Sequence, residues 1–161
     1  MRIITRSEAE CWCETHSVTL GSSALPEHPT AIEFSIPRDA GARVALVSST
    51  MDEFRDAAQF LVWFDAWGVW PSGQRMHVFD KFRLGYGETR SISAAPAHIF
   101  VRGEIEDAVS FVTIGVLFLW DCYVLTPQGA EVLFFSHDEW GATTGFAVPH
   151  SIAVATQRTP S

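Results

Sequence analysis

Cysteine is scarce in this chain and its count is odd: Cys11, Cys13 and Cys122. Cys11 and Cys13 stand two apart in a segment that reads as helix, so they point to different sides. The spacing makes neither a C-x-x-C redox pair nor a zinc knuckle. No disulfide, no structural zinc and no other metal are expected, and a reduced, cytoplasmic protein is the simplest reading. Basic residues are few as well. Lys and Arg number 11 against 19 Asp and Glu, for a formal net charge of −8. They are scattered along the chain. That argues against nucleic acid as a partner, because non-specific binding rests on Lys and Arg neutralising phosphates.

Long apolar runs are missing too. The longest, Ala108 to Leu119, is interrupted by Ser110, Thr113 and Gly115. It is too short to span a bilayer and reads as a core helix, so no membrane partner is expected. The opening MRIITRSEAECW has no apolar core or small-residue cleavage site of the secretory kind. Catalytic signatures are also lacking. Gly85-x-Gly87 has no third Gly, no preceding strand and no Lys, so it is not a phosphate loop. No nucleophile-elbow, zincin or EF-hand pattern occurs. No cofactor is expected. Internal repeats, low-complexity tracts and linkers are absent.

What the chain has is core material. Its 161 residues are 47% hydrophobic and 12% aromatic, which argues against disorder and suffices for one core without staples. A single domain over 1–155 is expected, with 156–161 as a frayed tail.

Local signals divide that domain into elements. Ser7 with Glu10 reads as a capping box that starts a helix running to about His16. Residues 21–29 read as loop. Ala31 to Ile36 alternates Ile32, Phe34 and Ile36 against Glu33 and Ser35, a half-buried strand. Pro37-Arg38-Asp39 opens a helix through about Phe54, with Val44, Val47, Met51 and Phe54 on its apolar face. Phe60 to Trp70 is a second strand, bent or ended at Gly68. Pro71-Ser72-Gly73 is a turn, and Gln74 to Leu84 a third helix stopped by Gly85 and Gly87. Residues 88–100 are mixed, with loop over Ser91 to Pro96. Glu104, Glu106 and Asp107 start the strongest helix, through about Phe118, with Phe111, Val112 and Val116 as core.

The stretch Trp120 to Gly141 reads as an antiparallel hairpin over Trp120–Phe135, turning at Pro127-Gln128-Gly129. A three-residue loop with a bulge at Gly129 pairs Leu125 with Glu131, Val124 with Val132, Tyr123 with Leu133, and Asp121 with Phe135. The expected fold is α/β (α+β): a two-layer sandwich with a mixed four- or five-stranded sheet, a C-terminal hairpin, and helices packed on one face.

Two constellations could carry function. The first is the hairpin end. In the register above, Asp121, Tyr123, Phe135, His137 and Glu139 share one face, with Asp138 on the other. His137 lies diagonal to Asp121, close enough for a direct bond. A His flanked by carboxylates could serve as a general base or bind a divalent cation. No nucleophile or second spaced His accompanies them, and Asp and Glu also belong at strand ends for solubility. A polar strand terminus is therefore the favoured reading. The second is the aromatic belt from Trp63 to Trp70, which interleaves Asp65 with Trp63, Trp67 and Trp70. Trp offers large contact area at low entropic cost, so a half-exposed one marks a binding surface, although core packing is the plainer role. The isolated His16, His28, His77, His98 and His150 read as surface or capping residues.

The leading functional reading is a small acidic interaction domain, for example an inhibitor or immunity-like protein that masks a basic partner. Its binding residues would be Asp65, Trp67, Trp70, Asp138, Glu139 and Trp140. The competing readings are a small enzyme or ligand-binding protein built on Asp121, His137 and Glu139, and a homo-oligomer that buries the Trp belt in a two-fold interface.

Overall fold

A computed structural model of the chain describes residues 1–18, 31–66 and 76–148. Capping chemistry sets the helix starts. Thr5 caps α1 (Arg6–Thr15), and Glu8 reaches back to its backbone, so the capping box lies two residues earlier than Ser7 and Glu10 suggest. Asp39 accepts the Ala42 N–H and caps α2 (Ala40–Met51). A single 3-10 turn, Asp52–Phe54, follows it. The remaining helices are α3 (Met76–Leu84) and α4 (Ile105–Leu117). Within α4, Phe111, Val112 and Val116 are buried, as the apolar periodicity predicts.

The strands are β1 (Arg2–Ile4), β2 (Ile32–Ser35), β3 (Gln59–Ala66), β4 (Ala97–Val101), β5 (Asp121–Leu125), β6 (Val132–Phe135) and β7 (Trp140–Thr144). They form one seven-stranded sheet in the order β1-β4-β3-β5-β6-β7-β2. Every neighbouring pair is antiparallel, so the fold is α+β, with a larger and wholly antiparallel sheet where a mixed four- or five-stranded one was expected. The added strands carry weak signals. β1 has three residues, β4 follows a Ser- and Ala-rich loop, and β7 reads Trp-Gly-Ala-Thr-Thr, with no apolar alternation.

The two faces of the sheet feed two cores. Phe60, Val62 and Phe64 of β3 pack with Phe100, Val124, Leu133 and Phe135, under Leu46 and Val47 of α2, Phe79 of α3 and Phe111 of α4. Leu61 and Trp63 point the other way and meet Ile99, Tyr123, Leu125 and Phe134, with Ala9, Trp12 and Cys13 of α1. Thus α2, α3 and α4 share one face, and α1 lies on the opposite one. Close approach fixes α4. A Cβ at Gly115 would stand 2.4 Å from Phe64 Cε1, so this turn of the helix sits directly on the sheet.

The β5–β6 hairpin forms as predicted, in a register one residue away. Cys122 faces Phe135, Tyr123 faces Phe134, Val124 faces Leu133 and Leu125 faces Val132. Thr126 explains the slip. Its N–H donates to the Glu131 carbonyl at 3.1 Å, and its hydroxyl accepts from the Glu131 N–H at 2.9 Å. These bonds close a four-residue loop, 127–130, in which both Gln128 and Gly129 have φ near 63°. A one-residue slip exchanges the faces of a strand. Phe135 therefore joins the helix-side core, and Phe134 joins Tyr123 on the α1 side. The α2 face differs as well: Val44 is exposed, and Arg43, Leu46 and Thr50 are buried beside Val47 and Met51.

Candidate functional site

The hairpin end becomes a site because β3 lies beside β5. Ala66 pairs with Asp121 across that ladder, and the register shifts between Phe64 and Ala66, which turns Asp65 into a bulge. On the other side of β5, residues 136–139 form a tight turn from β6 into β7. The Ser136 N–H donates to the Trp140 carbonyl at 2.8 Å, and the Glu139 N–H to the Ser136 carbonyl at 3.2 Å. Glu139 takes φ 63° to close it. The residues expected to extend the strand, His137, Asp138 and Glu139, are the turn itself.

Asp121 holds that turn. One of its carboxylate oxygens accepts the His137 backbone N–H at 2.7 Å and lies 2.8 Å from His137 Nδ1. The expected Asp121–His137 bond is therefore present. With Nδ1 bound to a carboxylate, Nε2 is the nitrogen left for other partners, and Asp138 Oδ1 lies 3.5 Å from it. The His137 side chain is 28% exposed and that of Asp138 72%, so this end of the sheet meets solvent.

Glu139 is not part of that pair. Its carboxylate bonds Arg43 Nη2 at 2.7 Å and lies 3.4 Å from Arg38. Arg43 is 7% exposed and also donates to the Pro37 and Val116 carbonyls. The Asp121–His137–Glu139 cluster expected from the sequence is thus corrected to an Asp121–His137 pair with Asp138. The turn sends Glu139 toward α2, where a buried guanidinium takes it. Arg43 had a signal in the sequence: it is the only charged residue in the helix Ala40–Met51.

Asp65 bonds Arg6 at 2.8 Å, and the Arg6 guanidinium stands 5.5 Å over the Trp63 ring. Trp63 itself is buried. The Trp140 ring is partly buried and meets Phe134 edge-on at 5.4 Å between centroids. Tyr123 lies close by, and burial, followed by the charges of Asp65 and Asp121, pushes its phenol up to about 12. Trp67 and Trp70 lie outside the described residues, as do His28 and His150.

His98 departs from the surface role expected of it. It is fully buried, with its ring 4.8 Å from Phe111 and 5.6 Å from Phe64 between centroids. Burial, with the Arg83 charge behind it, holds its pKa down at about 3, so the ring is neutral. The Val62 carbonyl favours the charged form, yet neither ring nitrogen makes a hydrogen bond of ordinary geometry. His16 does act as a cap. It stacks on Trp12 and ends α1 with Nδ1 2.8 Å from the Trp12 carbonyl.

The Asp121–His137 pair is half of a general-base arrangement. Its potential nucleophiles are poor. The Cys122 thiol is buried on the opposite face, and burial pushes its pKa well above the usual range. The Ser136 residue is buried and its hydroxyl accepts the Asp138 N–H. Among the described residues no three His, Cys, Asp or Glu side chains are placed to hold a metal. Two pockets, of about 320 and 380 Å3, lie elsewhere: one between α3 and residues 88–91, the other between α1 and Arg2. No described helix is long and apolar enough to cross a membrane.

Comparison with protein-family models, curated proteins and solved structures finds no match to this chain.

Proposed function

We propose that this protein is an acidic interaction domain whose contact surface is the sheet end that carries Asp65, Asp121, His137, Asp138 and Trp140, and that its partner is a basic protein. The observation behind this reading is the Ala66–Asp121 pairing. It brings the end of β3 beside Asp121, which on its other side bonds the β6–β7 turn, so that residues far apart in sequence share one end of the sheet. Three carboxylates, Asp65, Asp121 and Asp138, lie there, and among the described residues the Arg6 guanidinium pairs with Asp65. Asp138 is the most exposed of them. Glu139 adds little to this field, because Arg43 and Arg38 neutralise it. Trp67 and Trp70, which follow Ala66 in sequence, are proposed as aromatic anchors of the same surface. The overall charge of −8 would speed encounter with a basic partner.

Capture from cells of the source organism tests the reading. The unaltered chain should retain a basic protein, and Asp138→Lys should release it. Glu14→Lys, an equal charge change on the exposed side of α1, should not. Equal capture by both variants counts against the proposed surface.

The 2.8 Å Asp121–His137 contact supports a second reading, in which His137 is a general base. Loss of a measured turnover in His137→Ala, with partner capture intact, would favour it over the first.

A further inference from the structure

We draw no further inference here: the strongest candidate, the uncharged outer face of α2 formed by Gly41, Val44, Ala45 and Ser48, is a stripe of small residues, and nothing in the structure shows what covers it.

Discussion

Arg43 Nη2 donates to Glu139 Oε1 at 2.7 Å, and this bond ties α2 to the turn between β6 and β7. The same guanidinium reaches the Pro37 and Val116 carbonyls, so one side chain joins three segments. Arg43→Ala leaves Glu139 without its closest counter-charge and takes the guanidinium donor from the Pro37 carbonyl, while the Val116 carbonyl keeps the Leu119 N–H. The carboxylate is 32% exposed and keeps Arg38, so denaturant unfolding should show a loss of about 1.5–2 kcal/mol, in the range for hydrogen bonds to charged groups. Arg38→Ala, which touches the same carboxylate from an exposed position, should cost less than about 0.5 kcal/mol. Equal effects of the two changes would show that Arg43 is not the clamp.

The α4–sheet contact gives a steric prediction. Gly115→Ala adds a methyl group 2.4 Å from Phe64 Cε1, and that ring is itself buried. Helix propensity favours Ala by about 1 kcal/mol. Overpacking of a closed core opposes it by about 1–3 kcal/mol. The clash is severe and Phe64 is hemmed in by Phe79 and Trp120, so the net effect should be destabilising. Thermal melting checks the sign. A variant that melts higher than the parent would place α4 farther from the sheet.

His98 makes stability depend on pH. Its ordinary value is 6.5, and in the folded chain it is near 3. Between those values the unfolded chain binds a proton that the folded chain refuses, so stability falls as pH falls through this window. One such group steepens the slope by at most about 1.4 kcal/mol per pH unit. His98→Leu should flatten the dependence between pH 6 and pH 4.5, whatever it does to stability at neutral pH. An unchanged slope would mean that His98 is not the group responsible.

The hairpin tip carries a backbone conformation that suits another residue. Gln128 is exposed at φ 63°, where a side chain is unfavourable. Its N–H donates to the His16 carbonyl at 2.8 Å, a bond that glycine keeps. Gln128→Gly should therefore raise stability by about 0.5–1 kcal/mol. A loss measured in urea would show that the Gln side chain makes contacts that matter.

Strong local signals were legible in the sequence. The apolar periodicity of 105–117 and the aromatic alternation of 60–66 identified α4 and β3, because each buries a face wide enough to dominate its composition. The Asp121–His137 bond was also legible, although through a turn rather than a strand. Register was not. Whether a hairpin closes with three or four residues depended on Thr126, whose hydroxyl serves Glu131, and that choice moved Phe135 to the other face. β7 was missed because its core is Gly-Ala-Thr-Thr. Its place comes from long-range pairing with β6 and β2, which a local pattern does not contain. The separation of Glu139 from His137 was not legible for a related reason: its partner Arg43 lies 96 positions away.

Hydrogen exchange on the complex with a captured partner tests the central claim most directly. Binding at the sheet end should slow exchange at 65–66, 121–123 and 136–140, and leave the α2 segment 40–51 unchanged. Protection confined to α2 or to the α3 pocket, with the 136–140 turn exchanging as fast as in the free protein, would contradict the account.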